Sequence, residues 1–357
     1  MNTLLLAPEL FTTDSGIPRM LRLYLKALCE IAGSKSEVRF VSLNDAAIDP
    51  SHLNLYSGPA LTKWSTCKRG KLKFICETLR QSRGTRLIIC GHVAQLPVAW
   101  LASWFRPGLR TILIAHGIEV WRPFTFLERL ALRNAHRILC VSDFTRREIL
   151  KHIKIDASRM VVLPNALDPA LEHKPDPAVQ DNSSPVILTV SRLSSSDRYK
   201  GIDHLIAAMP AVLRAKPDTK LHIVGRGDDL PRLQNLVREN KIDHAVKFVG
   251  FVSDEQLRTE FAQCTCFALP SQKEGFGLVY LEAMTAGKPC LAANAGGAPE
   301  VIPSEAGMIV PYGDVPGIAI ACIQILAKKW DPKTIQTCAQ EFSYSRFKDR
   351  LTALLPT

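Results

Sequence analysis

Residues 271–289, SQKEGFGLVYLEAMTAGKP, combine two acids and two glycines at a spacing suited to a phosphate flanked by hydroxyls. An apolar run ending at Leu269-Pro270 precedes them; a helix is expected to start near Leu278 and to stop at Gly287, with Pro289 just beyond. Gly275 and Gly277 permit close backbone approach and positive φ, and amides at a helix start hold a phosphate without any side chain. A carboxylate beside a phosphate is repelled by it and needs another task. Glu274 and Glu282 could therefore hold two hydroxyl-rich groups on either side of a diphosphate. The plainer alternative is a capped helix carrying solvated acids.

A second polar stretch, SRLSSSDRYKG at 191–201, follows the apolar run 186–190. Arg192 offers a planar fork and Lys200 a point charge, a pairing that suits a diphosphate, although alone it also reads as a solvated basic loop. AHGIEVW at 115–121 puts His116 at the end of an apolar run and at the mouth of an expected inter-domain cleft; a structural histidine is the alternative. TTDSGIPR at 12–19 places Gly16 at a helix start, in an acceptor-side or phosphate-facing loop. GRG at 225–227 lacks the third glycine and downstream acid of a dinucleotide site and reads as a tight turn near the site.

These stretches need elements that aim them at one another. Apolar runs expected as strands lie at 3–7, 38–43, 86–90, 111–115, 137–141 and 160–163, then at 186–190, 220–224, 246–248, 266–269, 289–292 and 307–310. Amphipathic helical patterns fall between them, at 18–32, 143–152, 202–214, 230–240, 253–262 and 278–286. That alternation describes parallel sheets covered on both faces, and twelve strands suit two doubly wound α/β domains better than one sheet. The join is expected near Asn165, with a flexible stretch over about 170–184 rich in Pro, Asp and Ser, and a terminal amphipathic helix is expected within 341–355.

Composition sets the boundaries. The 357 residues are 46% hydrophobic and 22% charged, as in soluble globular chains, which excludes disorder and fibrous repeats. No apolar run is long enough to span a bilayer, and the amino terminus lacks the basic region of a signal peptide. The ten cysteines are scattered without a CxxC pair and read as buried small hydrophobes in a reducing cytoplasm; Cys264 and Cys266 are expected to alternate along one strand. The net charge of +11 is uneven: residues 1–165 hold 24 Lys+Arg against 12 Asp+Glu, and the remainder 21 against 22. The first half should therefore face something anionic, a membrane surface or nucleic acid.

The motif E-G-F-G-L-x(3)-E-A-M-x-A-G-K-P, followed by GGAPEVI at 296–302, resembles the signature of glycosyltransferase family 4. The HG at 116–117, VSDFTRREIL at 141–150, PNALD at 164–168 and the Arg192…Lys200-Gly spacing extend the likeness over essentially the whole chain. The resemblance implies retaining, metal-independent enzymes with two Rossmann-like domains facing across a cleft, the GT-B fold. It implies an acceptor-side domain at 1–165, a nucleotide-sugar domain at 166–340 and a segment 341–357 crossing back to the first. Arg192 and Lys200 would bind the donor diphosphate and steady the departing nucleotide. Glu274 would bind the donor sugar, the amides of Phe276, Gly277 and Leu278 would lie near sugar and phosphate, and Glu282 would hold the ribose. His116 would contact the donor sugar, and Gly16 would sit close to the phosphates, although Ser15 stands where the family often has a second glycine.

The expected chemistry moves a hexose-type sugar from a nucleoside-diphosphate sugar to a hydroxyl acceptor, a lipid-linked or polysaccharide precursor, as in bacterial polysaccharide and glycolipid assembly. The acceptor hydroxyl would attack from the same face, with the leaving phosphate taking its proton. No cofactor and no metal are expected. A nucleotide-sugar epimerase of similar architecture and a non-catalytic sugar-binding protein are the alternatives. Residues 61–86 hold eight Lys+Arg and one acid, with Trp64 and Phe74 among them, and 98–105 hold Trp100, Trp104 and Phe105. They read either as ordinary surface and crossover helix, or as a peripheral contact with an anionic membrane on its inner face; nucleic acid is the weaker partner.

Overall fold

The computed structural model describes residues 1–169 and 184–356. Chain contacts divide it into two units, Met1–Asp168 with Tyr344–Thr357, and Pro169–Ser343. Of the stretch expected to be flexible, 170–183 lie outside the described residues.

The first unit contains β1 (Thr3–Ala7), β2 (Val38–Ser42), β3 (Leu61–Thr66), β4 (Leu87–Cys90), β5 (Arg110–Ala115), β6 (Arg137–Cys140) and β7 (Met160–Val162). All pair in parallel, in the order β3-β2-β1-β4-β5-β6-β7. Between them run α1 (Gly16–Ala32), α2 (Pro50–Asn54), α3 (Lys71–Gln81), α4 (Leu96–Trp104), α5 (Phe126–Asn134) and α6 (Asp143–His152). Every residue of β1 and β4 is buried, which is why these strands read as continuous apolar runs rather than alternating ones. One face of the sheet, with Leu4, Leu6, Ile88, Leu113 and Ile138, packs on Phe74 of α3, Ala99 and Ala102 of α4, and Leu132 of α5.

Strand β3 corrects the reading from sequence, which gave twelve strands where thirteen are described. It pairs only with β2, and Thr62, Lys63 and Trp64 are exposed, so it carries the charge of a protected edge instead of an apolar run. Residues 61–86 are therefore an edge strand followed by a helix anchored through buried Phe74. Trp64 stacks on Phe40 of β2, with ring centroids 6.0 Å apart.

The second unit contains β8 (Val186–Val190), β9 (Lys220–Val224), β10 (Val246–Gly250), β11 (Cys266–Leu269), β12 (Cys290–Ala293) and β13 (Gly307–Val310). They form a parallel sheet in the order β10-β9-β8-β11-β12-β13. Its helices are α7 (Ile202–Ala215), α8 (Leu230–Glu239), α9 (Asp254–Gln263), α10 (Leu278–Thr285), α11 (Val315–Ala327) and α12 (Pro332–Gln340). Cys264 caps the end of α9 and precedes β11, so it does not alternate with Cys266 along a strand. The last helix, α13 (Tyr344–Leu354), belongs to the first unit.

In each sheet the chain leaves two neighbouring strands in opposite directions. The switch lies between β1 and β4 in the first unit and between β8 and β11 in the second. Ligands of open parallel sheets bind in the crevice that such a reversal opens at the carboxyl ends of the strands.

Candidate active site

At the second switch the loops after β8 and β11 are stitched together. The loop after β8 closes in a 3-10 turn, Ser195–Lys200, and Gly201, at φ 72°, starts α7. A Cβ on Gly201 would lie 2.3 Å from the Pro270 carbonyl oxygen, so only glycine lets the two backbones meet. The Gln272 amide donates to the Tyr199 carbonyl at 2.7 Å. This contact sets Lys200 Nζ 2.6 Å from Glu274 Oε2, with both side chains largely buried. Arg192 behaves otherwise: it is 71% exposed and pairs at 3.0 Å with buried Asp197, whose other oxygen accepts from Tyr199 Oη at 2.9 Å. Arg192 and Lys200 line one recess together with Leu193, Arg198, Asp203 and Arg232.

Helix α10 begins at the same edge. Its N-cap, Gly277, has φ 99°, and no side chain caps the helix. A Cβ there would lie 2.3 Å from the Tyr280 ring, while Tyr280 Oη donates to the Leu269 carbonyl at 2.6 Å and ties the helix to the end of β11. The Glu274 carbonyl accepts from the Gly297 amide at 2.7 Å, so the Gly-Gly turn of 296–297 fixes the acid's backbone. Phe276 is buried, edge-on to Phe342 at 5.4 Å. Gly275, Leu278 and Glu282 are half-buried, the last one turn into α10. Residues 225–227, expected as a tight turn, instead run irregularly beside the loop after β8, with the turn at 228–229: Leu193 N donates to the Arg226 carbonyl at 3.0 Å, and Asp229 N to the Leu193 carbonyl at 2.8 Å.

In the first unit His116 follows β5 and is buried. Its Nε2 lies 3.1 Å from the Gly91 carbonyl, which can only accept, so Nε2 carries the proton. Burial, with His92 nearby, holds its pKa down to about 3. The ring is therefore neutral at pH 7 and Nδ1 is an acceptor. Glu119, part of the AHGIEVW stretch but not singled out in it, shapes this turn: Oε1 accepts from the amides of His116 at 2.5 Å and Gly117 at 3.2 Å. Burial raises the Glu119 carboxyl above the usual range.

Gly16 is the first residue of α1, and Ser15 before it makes no side-chain cap. The loop leading there is held by Asp45, fully buried, which accepts from the amides of Leu10, Phe11 and Thr12 at 2.8, 3.0 and 2.8 Å. Arg22, also buried, donates to the Leu10 carbonyl at 2.8 Å and to Asp14 at 2.9 Å. Neither was legible as a loop-holder. The only signal for Asp45 is an acid two residues past the end of an apolar run.

Two doubly wound parallel sheets, each with polar loops gathered at its switch point, define the GT-B class of fold. The comparisons with known proteins agree. Residues 172–341 match the family model for glycosyl transferases group 1, and residues 32–171 that for glycosyltransferase family 4. A GDP-mannose-dependent alpha-(1-6)-phosphatidylinositol monomannoside mannosyltransferase of Mycolicibacterium smegmatis is 33% identical over 262 residues, 67% of this chain and 66% of that protein. One of the same name from Mycobacterium tuberculosis is 29% identical over 73% of each chain. A related mannosyltransferase of Corynebacterium glutamicum is matched over 39% of its length. The crystal structure of Anabaena Alr3699/HepE in complex with UDP superposes with a TM-score of 0.82 over 99% of each chain, at 21% identity. The chain belongs to glycosyltransferase family 4.

Proposed function

We propose that the protein is a retaining hexosyltransferase that takes its sugar from a nucleoside diphosphate and passes it to a hydroxyl of a lipid-linked or polysaccharide precursor. The observation that carries this reading is the meeting of Lys200 with Glu274 beside the uncapped start of α10. A cation, a sugar-binding carboxylate and open helix amides then share one edge. Breaking the sugar–phosphate bond puts negative charge on the diphosphate. Arg192, Lys200 and the amides of Gly277 and Leu278 stabilise it as preorganised donors, and this cationic set takes the part that a metal plays elsewhere. Glu274 and Gly275 hold the donor sugar with Phe276, Glu282 the ribose, and Gly16 the phosphates. Neutral His116 offers Nδ1 to a sugar hydroxyl. The acceptor attacks from the face the phosphate leaves, and that phosphate takes the proton. The relatives' names, which specify phosphatidylinositol mannosides as acceptors, support a glycolipid acceptor. Among the described residues no helix is long and apolar enough to cross a membrane, and the basic first unit supports peripheral contact with an anionic inner membrane face.

The test is release of nucleoside diphosphate from a panel of nucleotide sugars, with and without a chelator. Arg192→Ala should cost about 2 kcal/mol of transition-state stabilisation, the low end for a charged contact, because the side chain is mostly exposed before the donor arrives. Lys200→Ala should cost more, since it also leaves Glu274 without its partner. Full turnover in Lys200→Ala would sink the assignment, and loss of turnover with chelator would sink the metal-free part.

A further inference from the structure

The basic excess of the first unit is concentrated at the amino edge of its sheet, away from the carboxyl ends of the strands where Gly16 and His116 lie. The stretches RGTR (83–86), RPGLR (106–110), RNAHR (133–137) and KIDASR (154–159) lead into β4, β5, β6 and β7, and together hold eight Lys+Arg and one acid. The register aligns them. Leu87 pairs with Arg110, Ile112 with Arg137, and Ile138 with Met160, so Arg137 and Arg159 enter their strands level, Arg110 two residues back and Arg86 one residue further, all at the start of four adjacent strands. At strand spacing this row is about 15 Å long. Burial lowers the pKa of His136, and Arg110, Arg137 and Arg159 push it the same way; burial and then Arg83 do so for Arg106.

Helix ends explain part of this cluster. Arg106 donates to the Leu79 carbonyl at 2.9 Å, Arg159 to the carbonyls of Arg133 and Ala135 at 2.8 Å, and Arg137 to that of Leu354. Such carbonyls at helix carboxyl ends attract cations. They do not explain Arg83, Arg86, Arg110 and Arg133, which are exposed with no acid partner among the described residues. Nor do they explain Trp104 and Phe105, which project from the end of α4 beside Arg106 at 64% and 68% exposure. Arg106, the Pro107-Gly108 turn and Arg110 follow, so two exposed aromatic rings lead directly into a turn with an arginine on each side.

We propose that this amino edge, with Trp104 and Phe105 at its tip, is the surface that seats the protein on an anionic phospholipid bilayer. The proposal rests on the peripheral-membrane reading above and names its face. Arginine forks match headgroup phosphates, and exposed Trp and Phe followed by arginine sit where acyl chains meet headgroups. A projecting apolar tip favours this occupant over single-stranded nucleic acid, which would need a groove to track its backbone. The lysine-rich stretch Lys68, Arg69, Lys71 and Lys73 precedes and opens α3 at the other edge of the sheet, and so provides a matched control.

The experiment is flotation of the full chain with vesicles of phosphatidylcholine, alone or with about one-third phosphatidylglycerol. Binding is expected only to the anionic vesicles, weakening steeply with salt. Arg83→Ser with Arg86→Ser and Arg110→Ser should cut it at least tenfold, and Trp104→Ser with Phe105→Ser should cut it several-fold. Lys68→Ser with Lys71→Ser and Lys73→Ser should leave it within twofold. If the lysine variant loses binding and the arginine variant keeps it, this face is wrong while the membrane reading stands. No binding of the parent chain at low salt overturns both. If the arginine variant loses binding to a single-stranded oligonucleotide but not to vesicles, the edge serves nucleic acid and the proposal fails.

Discussion

His116 shows how burial sets the chemistry available to a side chain. An exposed histidine is half-charged near pH 6.5, whereas this one donates through Nε2 to a carbonyl and is kept neutral by its surroundings. The pKa is lower in the folded chain than in the unfolded one, so the unfolded chain takes up the proton first as the pH falls. The stability difference is fully present above about pH 6.5 and is then lost at about 1.4 kcal/mol per pH unit. The loss continues toward the folded value of about 3. His116→Gln keeps a donor for the Gly91 carbonyl but cannot titrate. The difference in unfolding free energy between parent and variant, from urea curves at pH 8 to 5, should be flat down to about 6.5 and then shrink. A constant difference over that range would show that the ring is not held neutral.

At the scale of elements, the start of α10 depends on Gly277 for two separable reasons, its positive φ and the Tyr280 ring against it. Gly250, at the end of β10, has φ 83°, and a Cβ added there would meet nothing within 4 Å, so it separates strain from clash. Gly250→Ala should cost about 1 kcal/mol from the left-handed backbone alone. Gly277→Ala should cost clearly more and should also raise the KM for the donor, because the displaced turn carries the helix amides. Equal costs in chemical denaturation would mean that the Tyr280 ring yields freely. The elements themselves were largely legible, since strands buried on both faces leave continuous apolar runs. β3 was not, because an edge strand exposes Lys63 and Trp64 and lacks that run. Of the candidate site, the sequence could offer Arg192, Lys200 and Glu274 as charges in polar loops after apolar runs, and the fold brings Lys200 to Glu274 and puts Arg192 in the same recess as Lys200. Asp45, Arg22 and Glu119 were not legible, because each acts on backbone groups that only the folded chain brings within reach.

At the scale of the whole molecule, the last residues of the chain complete a unit built from the first 168. Phe347 of α13 meets Tyr24 of α1 edge-on at 4.9 Å, both essentially fully buried, and Lys348 Nζ lies 2.9 Å from Glu30. The ion pair is half-exposed and adds little, so the ring contact carries the docking. The first unit therefore lacks part of its core until α13 is made, whereas the second, Pro169–Ser343, has all of its residues earlier. Phe347→Ala should remove about 3–5 kcal/mol, as for other large-to-small changes in a packed core. The loss should be confined to one unit, because each has its own sheet and core. Native-state hydrogen exchange read peptide by peptide checks this. Amides of β1, β4 and α1 should exchange at least a hundredfold faster in the variant, while those of β8, β11 and β12 keep the parent's rates. If both sheets loosened together, the two units would be one cooperative body, and the terminal helix would stabilise the whole chain instead of the half it completes.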